Sequence, residues 1–423
     1  MLEELERRQV QAKGSSPSGS TFYSTDLEGS PLEKAALYPA DMHDRLKSMP
    51  EFMGFAVPIH RASTIKFNTV EDFTNRRSRL FDGFSYGLYG TPTVRYMEEE
   101  IAKLEGGKYC LSTPSGLSAV NLPMLALLKG GDHILVAQNA YGTTREFCNT
   151  FLSRLGIQHT IIPADATTIQ PWLTPSTRLV ILESPGSYTM EIQDMEKIAH
   201  EAHEHGALVS IDNAWGLGLT KPFKHGIDIV CNALSKYASG HSDVCMGSVT
   251  VNDRELYERL KTASFMLGEG VSSDDASLVL RGLQTFDVRV AEHAKRALTV
   301  ADWLKKQPTV ARVICPSHPE DSQHNRFSQY FSGGNGLLSV ILKKTADSSV
   351  IEMVEGFKMF KIGASWGGTH SLVAPIRANT FPWLDEEERG NWLLRLHIGL
   401  EPFDFLQRDL EDGFAALSAR QRA

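Results

Sequence analysis

Short apolar runs mark the middle of the chain, and helical patterns separate them. The runs cover residues 133–137, 178–182, 207–211 and 227–233, each close to Gly, Pro, Asn or Asp. Runs of this length predict strands. Between two of them, apolar residues recur at helical spacing and the pattern ends at a glycine: Met195, Ile198, Ala199, Ala202 and Gly206. Strands that alternate with helices in this way predict βαβ units and a largely parallel sheet.

A well-marked helix begins at Pro92. Thr91 is a good N-cap, and proline is favoured at the first helical position. Apolar side chains then follow at helical spacing, and Gly106 and Gly107 end the pattern. Ligands of parallel α/β sheets bind beyond the carboxyl ends of the strands. We therefore expect the chemically informative residues directly after the apolar runs.

The composition narrows the class of protein. The 423 residues predict two or three domains, and 42% hydrophobic with 22% charged residues is ordinary for a globular enzyme. The net charge of -8 argues against nucleic acid and anionic membrane surfaces as partners. The longest apolar stretch, residues 122–128, is far shorter than the ~20 residues that span a bilayer. Residues 13–20 are rich in Ser and Gly, which predicts a flexible arm.

The cysteines indicate a reducing compartment. There are five, irregularly spaced and without a C-x-x-C pair, so neither a zinc site nor a thioredoxin-type motif is indicated. The first residues are rich in Glu and Arg, which is wrong for a secretory signal. We expect a soluble, cytoplasmic protein.

Two ionisable residues follow neighbouring apolar runs. Asp212 closes the run 207–211. An acid there can keep a cofactor's ring nitrogen protonated, or it can cap the next turn. Lys236 follows the run 227–233, among small residues. Its amine can form a Schiff base and move protons, or it can be a solvated surface lysine. Ser235 can donate to a phosphate or cap a turn.

Two loops between strand and helix offer further groups. The segment Ser115, Gly116 and Leu117 begins a predicted helix, whose free N–H groups can bind phosphate, although many loop-to-helix junctions look the same. Tyr141 follows the run 133–137 and can stack on a planar ring or pack against the protein.

The C-terminal third contains one charged residue within an apolar run. Arg395 requires a partner if it is buried. A bidentate clamp on a substrate carboxylate and a structural salt bridge satisfy this requirement equally well. Ser365 and Trp366 precede two glycines, which by themselves indicate only a turn.

Taken together, the order and spacing of these residues resemble the Cys/Met-metabolism family of pyridoxal-5′-phosphate (PLP) enzymes, over about residues 55–415. The most specific motifs are Tyr-Gly-x-x-Gly-Thr at 86–91, Glu-Ser-Pro-Gly-Ser at 183–187, Ile-Asp-Asn-x-Trp at 211–215, Ser-Lys-Tyr-x-x-Gly-His-Ser-Asp at 235–243, Ser-Trp-Gly-Gly at 365–368 and Arg-Leu-His-Ile-Gly-Leu-Glu at 395–401. Within the family, the second and third motifs resemble the bacterial cystathionine β-lyase branch, with Ala214 in place of a threonine.

The resemblance implies an architecture. It is the fold-type I α/β fold of PLP-dependent transferases, with a mostly parallel seven-stranded sheet. An extended N-terminal arm would cover residues 1–85, with about the first 20 flexible. The PLP-binding large domain would cover residues 86–285, and a smaller α/β domain residues 286–423.

The resemblance also implies roles for individual residues. Lys236 would carry PLP and move protons, Asp212 would pair with the pyridine nitrogen, and Tyr141 would stack on the ring and assist catalysis. The remaining roles are phosphate binding by Ser115, Gly116, Leu117 and Ser235, phosphate binding in a neighbouring subunit by Tyr86, and substrate binding by Ser365, Trp366 and Arg395. No metal is implied. The active site would be shared between subunits of a homotetramer built as a dimer of dimers.

The implied reaction is β-elimination of L-cystathionine, or a related cysteine thioether, to a thiol, pyruvate and ammonia. The family's phosphate-binding arginine is replaced here by Leu88, which loses a contact worth on the order of 1.5–3 kcal/mol. Arg61 and Lys66 are the nearby basic residues. The departures at Leu88 and Ala214 leave room for another reaction on the same scaffold: γ-elimination or γ-replacement, cysteine desulfhydration, or cleavage of a specialised thioether. An alternative of another class is a PLP-binding regulator with little turnover.

Overall fold

The structure is a computed structural model and describes residues 54–422. The chain divides into two units, Met1–Ala56 and Val57–Ala423, and all features below belong to the second. Most of the predicted N-terminal arm, including its flexible segment, lies outside the described residues. No helix within residues 54–422 combines the length and the hydropathy needed to cross a membrane.

Helices α1 to α12 follow one another along the described chain, and strands β1 to β12 lie between them. The helices are Val70–Thr74, Pro92–Glu105, Gly116–Leu127, Gly142–Phe147, Met195–Glu204, Arg254–Leu267, Ser273–Leu283, Phe286–Leu304, His324–Tyr330, Asp347–Gly356, Glu386–Arg389 and Phe403–Arg422. The strands are Tyr109–Thr113, His133–Ala137, Gln158–Ile162, Thr177–Glu183, Leu208–Asp212, Ile229–Ala233, Gly247–Val251, Val310–Ile314, Leu337–Leu342, Lys361–Ile362, Leu372–Arg377 and Trp392–His397.

Helix α2 forms where the local sequence predicts it. The Thr91 hydroxyl accepts a hydrogen bond from the Val94 N–H, Pro92 occupies the first turn, and Gly106 ends the helix at φ 77°. That left-handed angle costs glycine little, because it has no Cβ. The four predicted strands also form, each shifted by at most two residues at its ends.

The larger sheet has seven strands in the order β1-β7-β6-β5-β4-β2-β3. Strand β7 runs antiparallel to both β1 and β6. The other neighbouring pairs are parallel. The predicted fold class, with its mostly parallel seven-stranded sheet, is therefore confirmed.

Apolar layers cover both faces of this sheet. Leu135 and Val180 point into the layer that contains α5, whereas Ile134 and Leu179 point into the opposite layer with α3 and α6. Successive strand residues face opposite sides, so burial on both faces requires the continuous apolar runs seen in the sequence.

The smaller sheet has five strands in the order β10-β11-β12-β9-β8. Its apolar face packs with α8, α10 and α12 around Val340, Leu394 and Leu410. The sheet and its helices match the predicted C-terminal α/β layer, while the exact domain boundaries at residues 85 and 285 stay a prediction.

Candidate active site

The carboxyl ends of three parallel strands meet at one cavity of about 360 Å³. Strand β4 ends at Glu183, which is the register partner of Asp212 at the end of β5. Eight of the eleven residues predicted for the site line this cavity: Gly116, Leu117, Tyr141, Asp212, Ser235, Lys236, Trp366 and Arg395. A larger groove of about 770 Å³, near Glu191 and Arg312, contains none of them. The smaller cavity is therefore the candidate active site.

Lys236 lies inside this cavity rather than on the surface. Its Nζ donates a hydrogen bond to Ser365 Oγ at 2.9 Å and lies 5.5 Å from the centre of the Trp366 ring. Burial lowers the pKa of Lys236 to about 8, the positive charge of Arg395 acts in the same direction, and Asp212 opposes both. The amine therefore has a much larger neutral fraction than an ordinary lysine, as a nucleophile or base requires.

Asp212 is an acid with an incompletely satisfied carboxylate. Its Oδ1 accepts a hydrogen bond from the Ala214 N–H at 3.0 Å. Burial raises the pKa of Asp212 to about 6, while that hydrogen bond and the charge of Lys236 lower it. Asp212 therefore caps the next turn and also lines the cavity, while its role toward a ring nitrogen stays a prediction.

Helix α3 begins at the wall of the cavity. Ser115 is its N-cap, and the Ser115 hydroxyl accepts from the Ser118 N–H at 3.1 Å. The N–H groups of the first turn have no intrahelical acceptor, which makes a helix start suitable for phosphate. A Cβ at Gly116 would lie 2.5 Å from the Ala233 Cβ, so glycine is what allows the helix to start against the end of β6.

The Ser235 hydroxyl is already partnered. It donates to the Met246 carbonyl at 3.1 Å and accepts from the Met246 N–H at 3.0 Å. Ser235 therefore ties the loop after β6 to the start of β7, and it reaches the cavity only as part of the lining.

Arg395 is buried on β12 beside the cavity. Its Nη1 donates to the Ser187 carbonyl at 2.9 Å, its Nη2 donates to the Ala364 carbonyl, and its Cζ lies 4.3 Å from the centre of the Tyr188 ring. Within residues 54–422 no carboxylate forms a salt bridge with it. Of the two alternatives for Arg395, the structural salt bridge is thus wrong for the described chain. A buried cation without a counter-ion favours an anionic ligand.

Three of the predicted site residues do not line the cavity, and one of them, Ser365, contacts it only through its hydrogen bond with Lys236. Tyr86 is exposed, precedes a short 3-10 turn and does not line this cavity. Ser115 contributes its cap but is not part of the lining. Leu88 packs beside Gly270, and Arg61 is held by Asp274 with Nε–Oδ2 at 2.8 Å. Arg61 is thus engaged at the surface and does not line this cavity.

Glu183, for which the sequence motifs predict no role, lies in the cavity wall. Its Oε2 accepts from the Tyr141 N–H at 2.6 Å, and its Oε1 accepts from the Ser187 hydroxyl. Burial, with a smaller contribution from the neighbouring Asp212, raises the pKa of Glu183 to about 8. Glu183 ends an apolar run as Asp212 does, so the rule applied to Asp212 could also have found it.

These groups fit PLP. One lining supplies an amine for the aldehyde of PLP, a buried carboxylate for the ring nitrogen of PLP and a helix start for the PLP phosphate. Tyr141 adds an aromatic ring at the same wall. The fold and the site therefore define a PLP-dependent enzyme of the α/β class.

Comparisons with known proteins identify the family. The sequence model of the family of Cys/Met metabolism PLP-dependent enzymes matches residues 41–415, and the chain belongs to that family. A cystathionine β-lyase of Bordetella avium is 38% identical over 356 residues, 83% of this chain and 89% of that protein. An L-alanine/L-glutamate racemase of Wolbachia pipientis wMel is 34% identical over 374 residues, 85% of this chain and 92% of that protein.

A solved structure has the same fold. The crystal structure of cystathionine γ-lyase from Lactobacillus plantarum, complexed with L-serine, superimposes with a TM-score of 0.76 at 28% identity. The match covers 86% of this chain and 94% of that one. The family resemblance, the fold class and the PLP cofactor predicted from the sequence are confirmed.

Proposed function

We propose that this chain is a PLP-dependent carbon–sulfur lyase that performs β-elimination on L-cystathionine or a related cysteine thioether. The observation that carries the proposal is the placement of Lys236, Asp212 and Arg395 around one cavity. They supply a base, an acid for the cofactor ring and a cation for the substrate carboxylate. The similarity to a protein named cystathionine β-lyase supports the choice of a thioether.

The residues divide the reaction between them. Bound PLP supplies an electron sink that stabilises negative charge at the substrate Cα. Arg395 binds the α-carboxylate and thereby turns the Cα–H bond toward Lys236. Neutral Lys236 removes that proton, for which a pKa of about 8 is well placed. Asp212 keeps the ring nitrogen protonated. The Cβ–S bond then breaks with its electron pair on sulfur, and Tyr141 helps to control the proton near the departing thiolate.

The remaining site residues hold the ligands. The amides of Gly116 and Leu117, at the helix start capped by Ser115, bind the phosphate. Ser235 joins them by turning its hydroxyl proton from the Met246 carbonyl to the phosphate. Ser365 and Trp366 form the turn that contacts Lys236 and closes the substrate side, which the 2.9 Å Lys236–Ser365 contact supports.

The test is incubation of the PLP-loaded protein with L-cystathionine, followed by identification of the keto acid and the thiol. Pyruvate with homocysteine supports the proposal. No keto acid from L-cystathionine, together with racemisation of L-alanine or L-glutamate supplied in a parallel incubation, overturns it. Lys236→Ala should abolish both the cofactor absorbance and turnover, and retained activity would show that another group is the base.

A second candidate is γ-elimination, γ-replacement or cysteine desulfhydration on the same scaffold. The departures at Leu88 and Ala214 favour it, as does the likeness to a cystathionine γ-lyase structure. In the same assay, 2-oxobutyrate with cysteine indicates γ-chemistry, and sulfide from cysteine indicates desulfhydration. A rate near background on every thioether amino acid indicates a PLP-binding regulator instead.

We further propose a cytoplasmic homotetramer, built as a dimer of dimers with Tyr86 reaching the neighbour's cofactor phosphate. Two observations support it: Tyr86 is exposed in the single chain, and all five cysteines are free thiols. Light scattering that finds a fully active monomer would refute the shared site.

A further inference from the structure

One buried carboxylate connects two loops of the active site. Glu183 is 7% exposed and ends β4. The Tyr141 N–H, from the loop after β2, donates to its Oε2 at 2.6 Å. The Ser187 hydroxyl, from the loop after β4, donates to its Oε1. Both oxygens of one acid are thus used to hold two separate loops.

The connection continues to the opposite side of the cavity. The carbonyl of Ser187 accepts a hydrogen bond from Arg395 Nη1 at 2.9 Å. The next residue, Tyr188, places its ring 4.3 Å from the Arg395 Cζ. A continuous path therefore runs from the Tyr141 backbone through Glu183 and Ser187 to the Arg395 guanidinium.

We infer that Glu183 is a positioning residue, which holds the Tyr141 ring and the Arg395 guanidinium in register toward one ligand. The inference rests on the proposed function, because it concerns the groups that would face cofactor and substrate. Side chains that hold reacting groups within a fraction of an ångström matter strongly to rate, since a shift of about 1 Å can cost about a hundredfold.

The protonation of Glu183 is compatible with this role. Burial and the nearby Asp212 raise its pKa to about 8. In its neutral form one oxygen still accepts from the Tyr141 N–H, while the other donates to the Ser187 hydroxyl. Glutamine offers the same acceptor and donor in the same shape, so Glu183→Gln should preserve the connection. Alanine removes both hydrogen bonds.

Glu191 provides a matched control. It is a half-buried glutamate beyond β4, and its Oε2 accepts from the Thr189 hydroxyl at 2.6 Å while its Oε1 accepts from Trp383 Nε1 at 2.8 Å. Burial raises its pKa as well. It does not line the cavity that holds Lys236. If the loss of any hydrogen-bonded acid caused the effect, both the Glu183→Ala and the Glu191→Ala variants should show it. If lost positioning causes it, only Glu183→Ala should.

The test measures hydrogen exchange of the segment containing the Tyr141 amide, together with kcat and KM of the PLP-loaded protein. For Glu183→Ala we expect the exchange rate of that segment to rise and kcat to fall, each by about tenfold or more. Glu183→Gln should stay within about threefold of the parent in both. Glu191→Ala should leave both unchanged, whatever its unfolding midpoint.

Ser187→Ala removes only the hydrogen bond between Glu183 and the Ser187 hydroxyl and keeps the one from the Tyr141 N–H. It also provides a test if the Glu183→Ala variant fails to fold. It should raise KM by loosening Arg395, with the Tyr141 exchange unchanged. Unaltered exchange and kcat in Glu183→Ala would overturn the inference, as would Glu183→Gln behaving like Glu183→Ala. If the parent protein cleaves no thioether, the proposed function fails, but the exchange comparison still decides the role of Glu183.

Discussion

Lys236 Nζ lies 2.9 Å from Ser365 Oγ, a hydroxyl 129 residues further along the chain. The lysine follows a strand of the seven-stranded sheet, and the serine lies in the turn before β11 of the five-stranded sheet. The same turn is held by His397, whose Nε2 accepts from the Gly367 N–H at 3.2 Å. The two sheets therefore meet at the reactive amine, and the site depends on the contact between them.

The low pKa of Lys236 predicts how the PLP-free protein takes up its cofactor. Burial disfavours the charged amine and lowers its pKa to about 8. We expect the rate of PLP capture, followed by absorbance in stopped flow, to rise with pH around a midpoint near that value. A midpoint close to 10.5, the ordinary lysine pKa, would contradict the buried site.

The lowered pKa of Lys236 also predicts how the stability of the PLP-free protein depends on pH. Between about pH 8 and 10.5 the unfolded chain binds a proton on this lysine that the folded chain has released. Stability should therefore rise with pH in that window, and this contribution should disappear in Lys236→Ala. Chemical unfolding of both proteins at several pH values measures the difference.

Asp212→Asn should separate cofactor binding from catalysis. Asparagine keeps the shape and the hydrogen bond from the Ala214 N–H but cannot hold a proton on the ring nitrogen by charge. We expect PLP to remain bound and kcat to fall by about a hundredfold or more, the usual effect of removing one electrostatic stabiliser. Asp228→Asn, at the amino end of β6, is the control and should retain full kcat. Equal loss in both would indicate a structural effect.

Gly116→Ala should weaken PLP binding. The added Cβ would lie 2.5 Å from the Ala233 Cβ, so the start of α3 must move away from the cavity. Gly142→Ala, at the start of α4, is the matched control because, among residues 54–422, its Cβ would meet nothing within 4 Å. We expect a higher PLP dissociation constant only in the first variant, measured by titration of the PLP-free protein. Equal affinities would remove α3 from the phosphate site.

Arg395→Lys should act on substrate binding. Lysine keeps the charge but cannot contact two carbonyls and a carboxylate in one plane. Loss of a charge-assisted hydrogen bond of about 1.5–3 kcal/mol predicts that kcat/KM falls about 10- to 100-fold, mainly through KM. Arg377→Lys on the neighbouring strand β11, where the arginine pairs with Asp347, should leave kcat/KM unchanged. A normal KM in Arg395→Lys would place the carboxylate elsewhere.

Local signals predicted much of the site, but not its connections. Asp212 and Lys236 were recognisable because each follows an apolar run, and parallel strands bring such positions to one edge. Glu183 satisfies the same rule, but only the β4–β5 register shows that it faces Asp212. The two alternatives for Arg395 could not be separated, because the choice depends on a carbonyl of Ser187, 208 residues away.

The sequence by itself determined the strands, the helix that starts at Pro92, the mostly parallel sheet and the choice of Lys236 and Asp212 as candidate site residues. These follow from periodicity, capping and the order of elements, which act over a few residues. The tertiary structure alone decided that Lys236 meets Ser365, that Arg395 lacks a carboxylate partner and that Glu183 holds two loops. Those contacts also set the pKa values, because burial and neighbouring charges arise only when distant segments pack together.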